Sequence, residues 1–565
     1  MGVQHPGVGM QGLASWEAGQ WLGAVGIAAA LLLVVWLERR PATWHLGFAA
    51  FFLLFGAIHL LFPGKTGALW TTLVLVAVIG AASKLKYRYL GFNLLAGDIS
   101  RLATSGLRRL LKDYKRLVFL YVSGTVVILA SLGALAAVLR EPADSLQERL
   151  EIASAAALLY VILFVAGGGS RRFRFHLLTQ DRAHLSVFMA SWFRIGLSQP
   201  AFVDIDTDAL PLLTPMPPRQ MAGERRPHII MILHESTFDP RRLGLPIDDA
   251  FKPFFSPEGS LSGALHVDVF GGGTQQTEFS ALTGLSSLSF GMNSRFVYYL
   301  LTGRIRHSLP SFLADAGYLV SHVSCDAPAS FNCGHFYKSI GIEHVSHAEM
   351  LPPPFDTGRW EREQHDQQLF DHALGLFSDR VALGKPSLLS IMTLMNHGDH
   401  VRRIFPPERH EELRREAVAA TDDAQYGEYI VRLAESVEAY DAFRKGLDER
   451  LDGQPAIIVR YGDHQPSFTA PLTGLPPSNS ALYETFYAIE AVNCSLPSDL
   501  TAPPVLDVTY LSTLALLAAQ IPLDPVFTTR AALLNNDPSA YFDLASAPKR
   551  RFHRALVEAG LVDLA

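Results

Sequence analysis

Five long stretches of the first 170 residues carry no Asp, Glu, Lys or Arg, and nothing else in the chain limits its fold as strongly. They run Trp21–Trp36, Trp44–Pro63, Thr66–Ser83, Leu117–Val138 and Ile152–Gly169. A helix crossing the hydrocarbon core of a bilayer needs about 20 mainly apolar residues. The stretches therefore predict five transmembrane helices. Buried helices of a water-soluble domain are the competing reading, but so short a region holds too little polar surface to cover five of them. The start lacks the basic region of a cleavable signal peptide, and four more apolar spans follow the first. Composition agrees: 49% of the 565 residues are hydrophobic and 18% charged, against about 25% charged in an average globular protein. Such a chain is not disordered. Its net charge of −6 gives no reason to expect nucleic acid as a partner.

Basic residues crowd two places. Lys84, Lys86, Arg88, Arg101, Arg108, Arg109, Lys112, Lys115 and Arg116 lie between the third and fourth spans, and Arg171, Arg172 and Arg174 follow the fifth. The positive-inside rule puts both in the cytoplasm, and with five spans the rest of the chain would follow. Tyr87, Tyr89, Leu90, Phe92, Leu94 and Leu95 alternate with the bases, as in an amphipathic segment lying at the headgroup level. Leu185 to Val203 reads as a second such segment. Prolines 211, 215, 217 and 218 then mark a linker. The resulting division is 1–175 membrane domain, 176–226 juxtamembrane segment and linker, 227–525 catalytic domain, and 526–565 helical tail.

From His228 the pattern changes. Ile229–Leu233, Tyr318–Val320, Ser387–Met392 and Ala456–Tyr461 are short continuous apolar runs, typical of strands buried on both faces. Helical patterns such as Ser308–Ala316 and Tyr426–Leu451 separate them. This alternation predicts an α/β domain with a mostly parallel central sheet. Ligands of such sheets gather beyond the carboxyl ends of the strands. Those positions hold Glu235, then Asn396-His397, then Asp463-His464. Two carboxylates and an imidazole suit a divalent metal such as Mn, Mg or Zn. A fourth candidate is Gly271-Gly272-Gly273-Thr274, after the alternating His266–Phe270 and ahead of a probable helix from Glu278 to Leu285. A threonine hydroxyl at a helix start could bind the metal and attack phosphorus. It could equally be an ordinary helix cap after a flexible turn.

Together these motifs resemble the lipoteichoic acid synthase and phosphoglycerol transferase family of the alkaline phosphatase–sulfatase superfamily. The carriers are Glu235 after its strand, Thr274 in Gly-x-Thr-x-x-x-Glu-Phe, Asn396-His397, and Tyr461-Gly462-Asp463-His464. Ser308–Phe312, Ala316–Tyr318, Phe336–Gly341 and the five-span start, with Lys84–Asp98, fit as well. The resemblance implies that Glu235, Thr274, Asp463 and His464 hold one metal ion, Mn first among the candidates. It makes Thr274 the nucleophile and His397 a phosphate contact or proton carrier. It implies a phospholipid donor, phosphatidylglycerol first, a glycan or polymer hydroxyl as acceptor, and a catalytic domain outside the cytoplasmic membrane, against the charge count. The arginine this family often carries before its Tyr-Lys pair is missing from Phe331–His335, which leaves His335 and Lys338 as headgroup contacts. Phosphoethanolamine transfer is the alternative chemistry, and an inactive lipid-sensing protein the alternative class. No Cys-x-Pro-x-Arg motif is present, which speaks against sulfate-ester hydrolysis. Cys325 and Cys333 could pair or remain buried thiols.

Overall fold

A computed structural model describes residues 10–39, 41–62, 64–90, 93–96, 98, 143–166, 182–192, 211, 226–325, 330–347, 366–398, 400–406, 408–536, 538 and 546–563. The chain divides into two compact units, Met1–Leu197 and Ser198–Ala565.

Among the described residues of the first unit, four helices are long and apolar enough to cross a membrane, with spans Trp21–Glu38, Pro41–Leu61, Lys65–Lys84 and Leu146–Ala166. They correspond to expected spans one, two, three and five. Span four, the basic residues from Arg101 to Arg116, and Arg171, Arg172 and Arg174 lie outside the described residues, as does most of the linker. Leu146–Ala166 leaves Leu158, Leu159, Val161, Ile162 and Val165 exposed, the apolar surface expected of a helix facing lipid. The segment expected to lie at the interface behaves differently. Its described part is a short helix, His184–Trp192, with every residue from His184 to Ser191 buried. Its Leu185, Phe188 and Met189 join the apolar core of the unit, and polar groups fix it as well. Glu38 accepts from the backbone N–H of Ser186 at 2.9 Å and from its hydroxyl at 2.8 Å, and Ser83 Oγ meets His184 Nδ1 at 2.8 Å.

The second unit is built on one eight-stranded sheet. Its strands are β1 (His228–His234), β2 (Leu261–His266), β3 (Leu319–Ser324), β4 (His344–His347), β5 (Ser387–Met392), β6 (Ala456–Gly462), β7 (Glu484–Val492) and β8 (Val505–Asp507). The order is β4-β3-β5-β1-β6-β7-β2-β8. From β4 to β6 all neighbours are parallel. β7 runs antiparallel to both β6 and β2.

The centre follows directly from the sequence. Ile229 to Leu233 are at most 1% exposed, because helices cover both faces of a parallel sheet. Removing one such side chain, as in Ile230→Ala, leaves a cavity costing about 2–5 kcal/mol. Three elements depart from expectation. The alternating stretch His266–Phe270 is strand only at His266, the last residue of β2, and the chain continues as an irregular loop. The helix expected from Glu278 spans Thr274–Thr283 instead. It starts earlier because Gly273, at φ 113°, caps it in a conformation open to glycine. The expected tail is not peripheral: its helices Pro525–Asn536 and Ala547–Glu558 place Val526, Phe527, Phe552 and Leu556 in the same core as β1.

Candidate metal centre

Strand register builds the site. His234 of β1 pairs with Gly462 of β6, so the next residues, Glu235 and Asp463, emerge side by side. On the other flank, Leu233 pairs with Met392 of β5. Thr393 then receives the Glu235 N–H on its Oγ1 at 3.1 Å. Asn396 and His397 follow in the turn after β5, where Asn396 Nδ2 donates to Thr237 Oγ1 at 3.2 Å.

Glu235, Asp463 and His464 are buried, and each offers one ligand atom within 4.8 Å of the others. Asp463 takes the N–H of Ser236 at 2.6 Å and of His464 at 2.9 Å on Oδ1. Among the described residues, its Oδ2 accepts no hydrogen bond. It lies 3.2 Å from His464 Nε2, which is 3.6 Å from Glu235 Oε1. His464 Nδ1 sits 3.1 Å from the carbonyl oxygen of Gln465. A carbonyl only accepts, so Nδ1 carries a proton, and Nε2 is the ring atom that faces the two carboxylates. Three acceptors converging in a buried space call for a cation, and this donor set fits a divalent ion.

Thr274 completes the group. Its Oγ1 donates to Glu235 Oε2 at 3.0 Å. Thr274 is the first residue of its helix, the cap being Gly273, and the hydroxyl does not cap the helix. The same helix is tied to the strand end through Thr277 Oγ1, which donates to the carbonyl of Asp463 at 2.7 Å.

Of the other sequence candidates, His397 follows Asn396 in the turn after β5, while His335 and Lys338 sit on a separate helix. His397 is half-buried, and its carbonyl accepts from the buried Arg432 at 3.0 Å. His335 and Lys338 are exposed on the helix Cys333–Ser339. Among the described residues, no hydrogen bond or ion pair joins them to the Glu235 group. Their helix is connected less directly. Tyr337 donates to Glu278 Oε2 at 2.7 Å, Tyr298 donates to the same oxygen, and Glu278 stands one turn after Thr274. Burial foremost, then the Glu278 charge, holds both phenols well above their ordinary range. Cys325 and Cys333 are both buried.

Sequence reasoning missed Ser236. At 3% exposure and φ +48°, it donates from its N–H to Asp463 and from Oγ to Glu235 Oε1 at 2.8 Å. One residue thereby fixes both carboxylates in a backbone conformation that is rare without glycine. A serine beside a glutamate gives no advance sign of this.

No curated protein matches the chain. Among solved structures it is similar to the Streptococcus pyogenes phosphoglycerol transferase GacH in complex with sn-glycerol-1-phosphate, with 16% identity and a TM-score of 0.46 over 60% of this chain and 89% of that one. It is also similar to the integral membrane lipooligosaccharide phosphoethanolamine transferase A of Neisseria meningitidis, with 14% identity and a TM-score of 0.44 over 87% and 95% of the two chains. The lipoteichoic acid synthase LtaP of Listeria monocytogenes gives 14% identity and a TM-score of 0.40 over 52% and 72%. Residues 227–489 match the family model described as Sulfatase, so the chain carries a sulfatase-family domain of the alkaline phosphatase–sulfatase superfamily.

Proposed function

We propose that this protein is a membrane-anchored, metal-dependent transferase that moves phosphoglycerol from phosphatidylglycerol, through a phospho-threonine at Thr274, to a hydroxyl of a glycan or polymer. One observation carries the reading. A threonine oxygen heads a glycine-led helix and stands 3.0 Å from a carboxylate that groups with Asp463 and His464. Glu235, Asp463, His464 and Thr274 would hold the ion, with Mn as the first candidate. A bound divalent ion would lower the pKa of the hydroxyl and polarise a phosphate oxygen.

The chain's own groups account for the rest. Glu235 Oε2 already accepts the Thr274 proton, which must leave before the oxygen can attack. The new bond joins Thr274 Oγ1 to phosphorus. The bond that breaks is phosphorus to the diacylglycerol oxygen, which leaves protonated into the bilayer. In the second half, the acceptor hydroxyl attacks the same phosphorus and Thr274 recovers its proton. His397 serves as proton carrier or phosphate contact, and His335 and Lys338 meet the headgroup.

The protein is proposed to sit in the cytoplasmic membrane with the catalytic domain on the outer side. An alkaline phosphatase fused after Ala565 would then be active, and an inactive fusion would reverse the topology. The donor is tested by incubating the full chain with labelled phosphatidylglycerol or phosphatidylethanolamine and mapping the modified residue. Label from the first lipid on Thr274 is expected. Label from the second instead would establish phosphoethanolamine transfer. A Thr274→Ala protein that still accumulates label would refute the mechanism.

A further inference from the structure

The family match ends at residue 489, yet the chain beyond it grips the helix that carries Thr274. Arg530, on the helix Pro525–Asn536, is 1% exposed. Its Nη2 donates to the carbonyl of Thr283 at 3.3 Å. Thr283 is the last residue of the Thr274 helix. Carbonyls at a helix end lack partners within the helix and carry the negative end of its dipole, so a guanidinium there is favourable.

The seat for this guanidinium is shaped. Gly284 follows Thr283 at φ +67°, and a Cβ there would stand 2.2 Å from Arg530 Cζ. The missing side chain at 284 is therefore what admits the guanidinium. Phe527 and Phe552 pack their rings 5.0 and 5.6 Å from Cζ. Phe552 comes from the helix Ala547–Glu558, which the chain end anchors in turn. Arg306 N–H donates to Leu561 O at 2.9 Å, and Asp563 N–H donates to Arg304 O at 2.8 Å.

The middle of the Thr274 helix is held separately. Ser280 Oγ donates to Asp268 Oδ2 at 2.6 Å, and that carboxylate also accepts from the N–H and the hydroxyl of Ser287. With Thr277 on the Asp463 carbonyl, the helix has a tether near its start, one in its middle and one at its end. A helix of 10 residues is about 15 Å long and tilts as a rod. A shift at Thr283 therefore reaches the Thr274 oxygen.

We infer that Arg530 is a positioning residue for Thr274, and that the helices Pro525–Asn536 and Ala547–Glu558 belong to the reaction scaffold. The inference rests on the proposed transferase reading. The test uses the full chain in detergent and four variants: Arg530→Ala, Arg530→Lys, Gly284→Ala and Asp524→Asn. The last alters the 2.6 Å contact that Asp524, the residue just before the Arg530 helix, makes with His307, and among the described residues no hydrogen bond joins Asp524 to Thr283. Melting temperature, Mn dissociation constant, and kcat and KM with labelled phosphatidylglycerol are measured for each.

Arg530→Ala and Gly284→Ala should each lower kcat about tenfold or more, with KM changed less than about twofold. Arg530→Lys, which keeps the charge and a donor, should recover part of kcat. Asp524→Asn should lower the melting temperature and leave kcat unchanged. The inference fails if folded Arg530→Ala or Gly284→Ala keeps kcat and Mn affinity within about twofold of the parent. It also fails if Asp524→Asn loses as much kcat at the same melting temperature. Should Arg530→Ala not fold, Arg530→Lys and Gly284→Ala decide. A parent protein that binds Mn but transfers no headgroup would refute the transferase reading alone. Arg530 is then judged by Mn affinity, expected to weaken about threefold or more in Arg530→Ala.

Discussion

Two groups of one histidine and two carboxylates lie in the second unit, Glu235–Asp463–His464 and His410–Glu435–Glu438. The residue types are the same, and the electrostatic situation is opposite. In the second group Arg409 donates to both carboxylates, at 3.2 Å to Glu435 and 2.9 Å to Glu438. His410 Nε2 adds a contact of 3.0 Å to Glu435, and Glu438 is 56% exposed. Its negative charge already has a cation and much of it has water. The first group is buried, and among the described residues Asp463 Oδ2 accepts no hydrogen bond. Donor types alone therefore do not define a metal site; it also takes burial that leaves a charge uncompensated. Position separates the groups too. The first stands at the carboxyl ends of central parallel strands, and the second bridges a helix and the turn before His410.

The largest effect should come from the nucleophile. Thr274→Ala is expected to abolish covalent labelling by a phospholipid while leaving the fold intact, read by mass spectrometry of the trapped protein. Next comes the contrast between the groups. Asp463→Asn should weaken Mn binding by about 100-fold or more, because it removes a charged ligand from a buried set. Glu438→Gln should leave one Mn per chain and a labelling rate within about twofold of the parent. If calorimetric titration instead finds Mn lost with Glu438 and kept without the Asp463 carboxylate, the comparison is the wrong way round. A smaller effect is expected at Ser236. Ser236→Ala keeps the backbone N–H on Asp463 but drops the hydroxyl on Glu235, and should cost about tenfold in Mn affinity. An unchanged affinity would mean that Glu235 is held without it.

Much of the site's framework was legible because it is local. Continuous apolar runs mark β1, β5 and β6, and chemistry-bearing residues follow them within a few positions. What stayed hidden depends on contacts far apart in sequence. Ser236 meets Asp463 across 227 positions, and Arg530 meets Thr283 across 247. No local pattern encodes such pairs. β7 was missed because Glu484, Thr485 and Glu490 interrupt its apolar residues, and β8, parallel to β2, because it is three residues long. The burial of the helix His184–Trp192 was not legible because its docking uses Glu38 and Ser83, which are remote in the chain. His335 and Lys338 entered through the resemblance, and both are exposed away from any described bond to the Glu235 group.

The smallest effect concerns acid, and it sets the background against which metal binding is read. Burial, reinforced by His347, pushes His322 down to about 3. Burial also takes His266 down to about 4, with Asp268 opposing and Lys549 assisting. Both lie below the ordinary histidine value near 6.5. Their stabilisation is thus present above about 6.5 and lost as pH falls toward those lower values. Asp507 works the other way. Burial raises it to about 7 despite Lys549, so its contribution is present at low pH and lost as pH rises through 7. Two histidines against one aspartate predict a net fall in melting temperature from pH 7 to pH 5. His266→Gln should flatten that fall, and Asp507→Asn should steepen it. A flatter profile for Asp507→Asn would reverse the sign assigned to that carboxyl. The metal increment is best read at pH 8, where these groups no longer titrate appreciably. There, Mn at 100 times its dissociation constant should add about 2.7 kcal/mol over chelated protein. Asp463→Asn should lose that increment and Glu438→Gln should keep it.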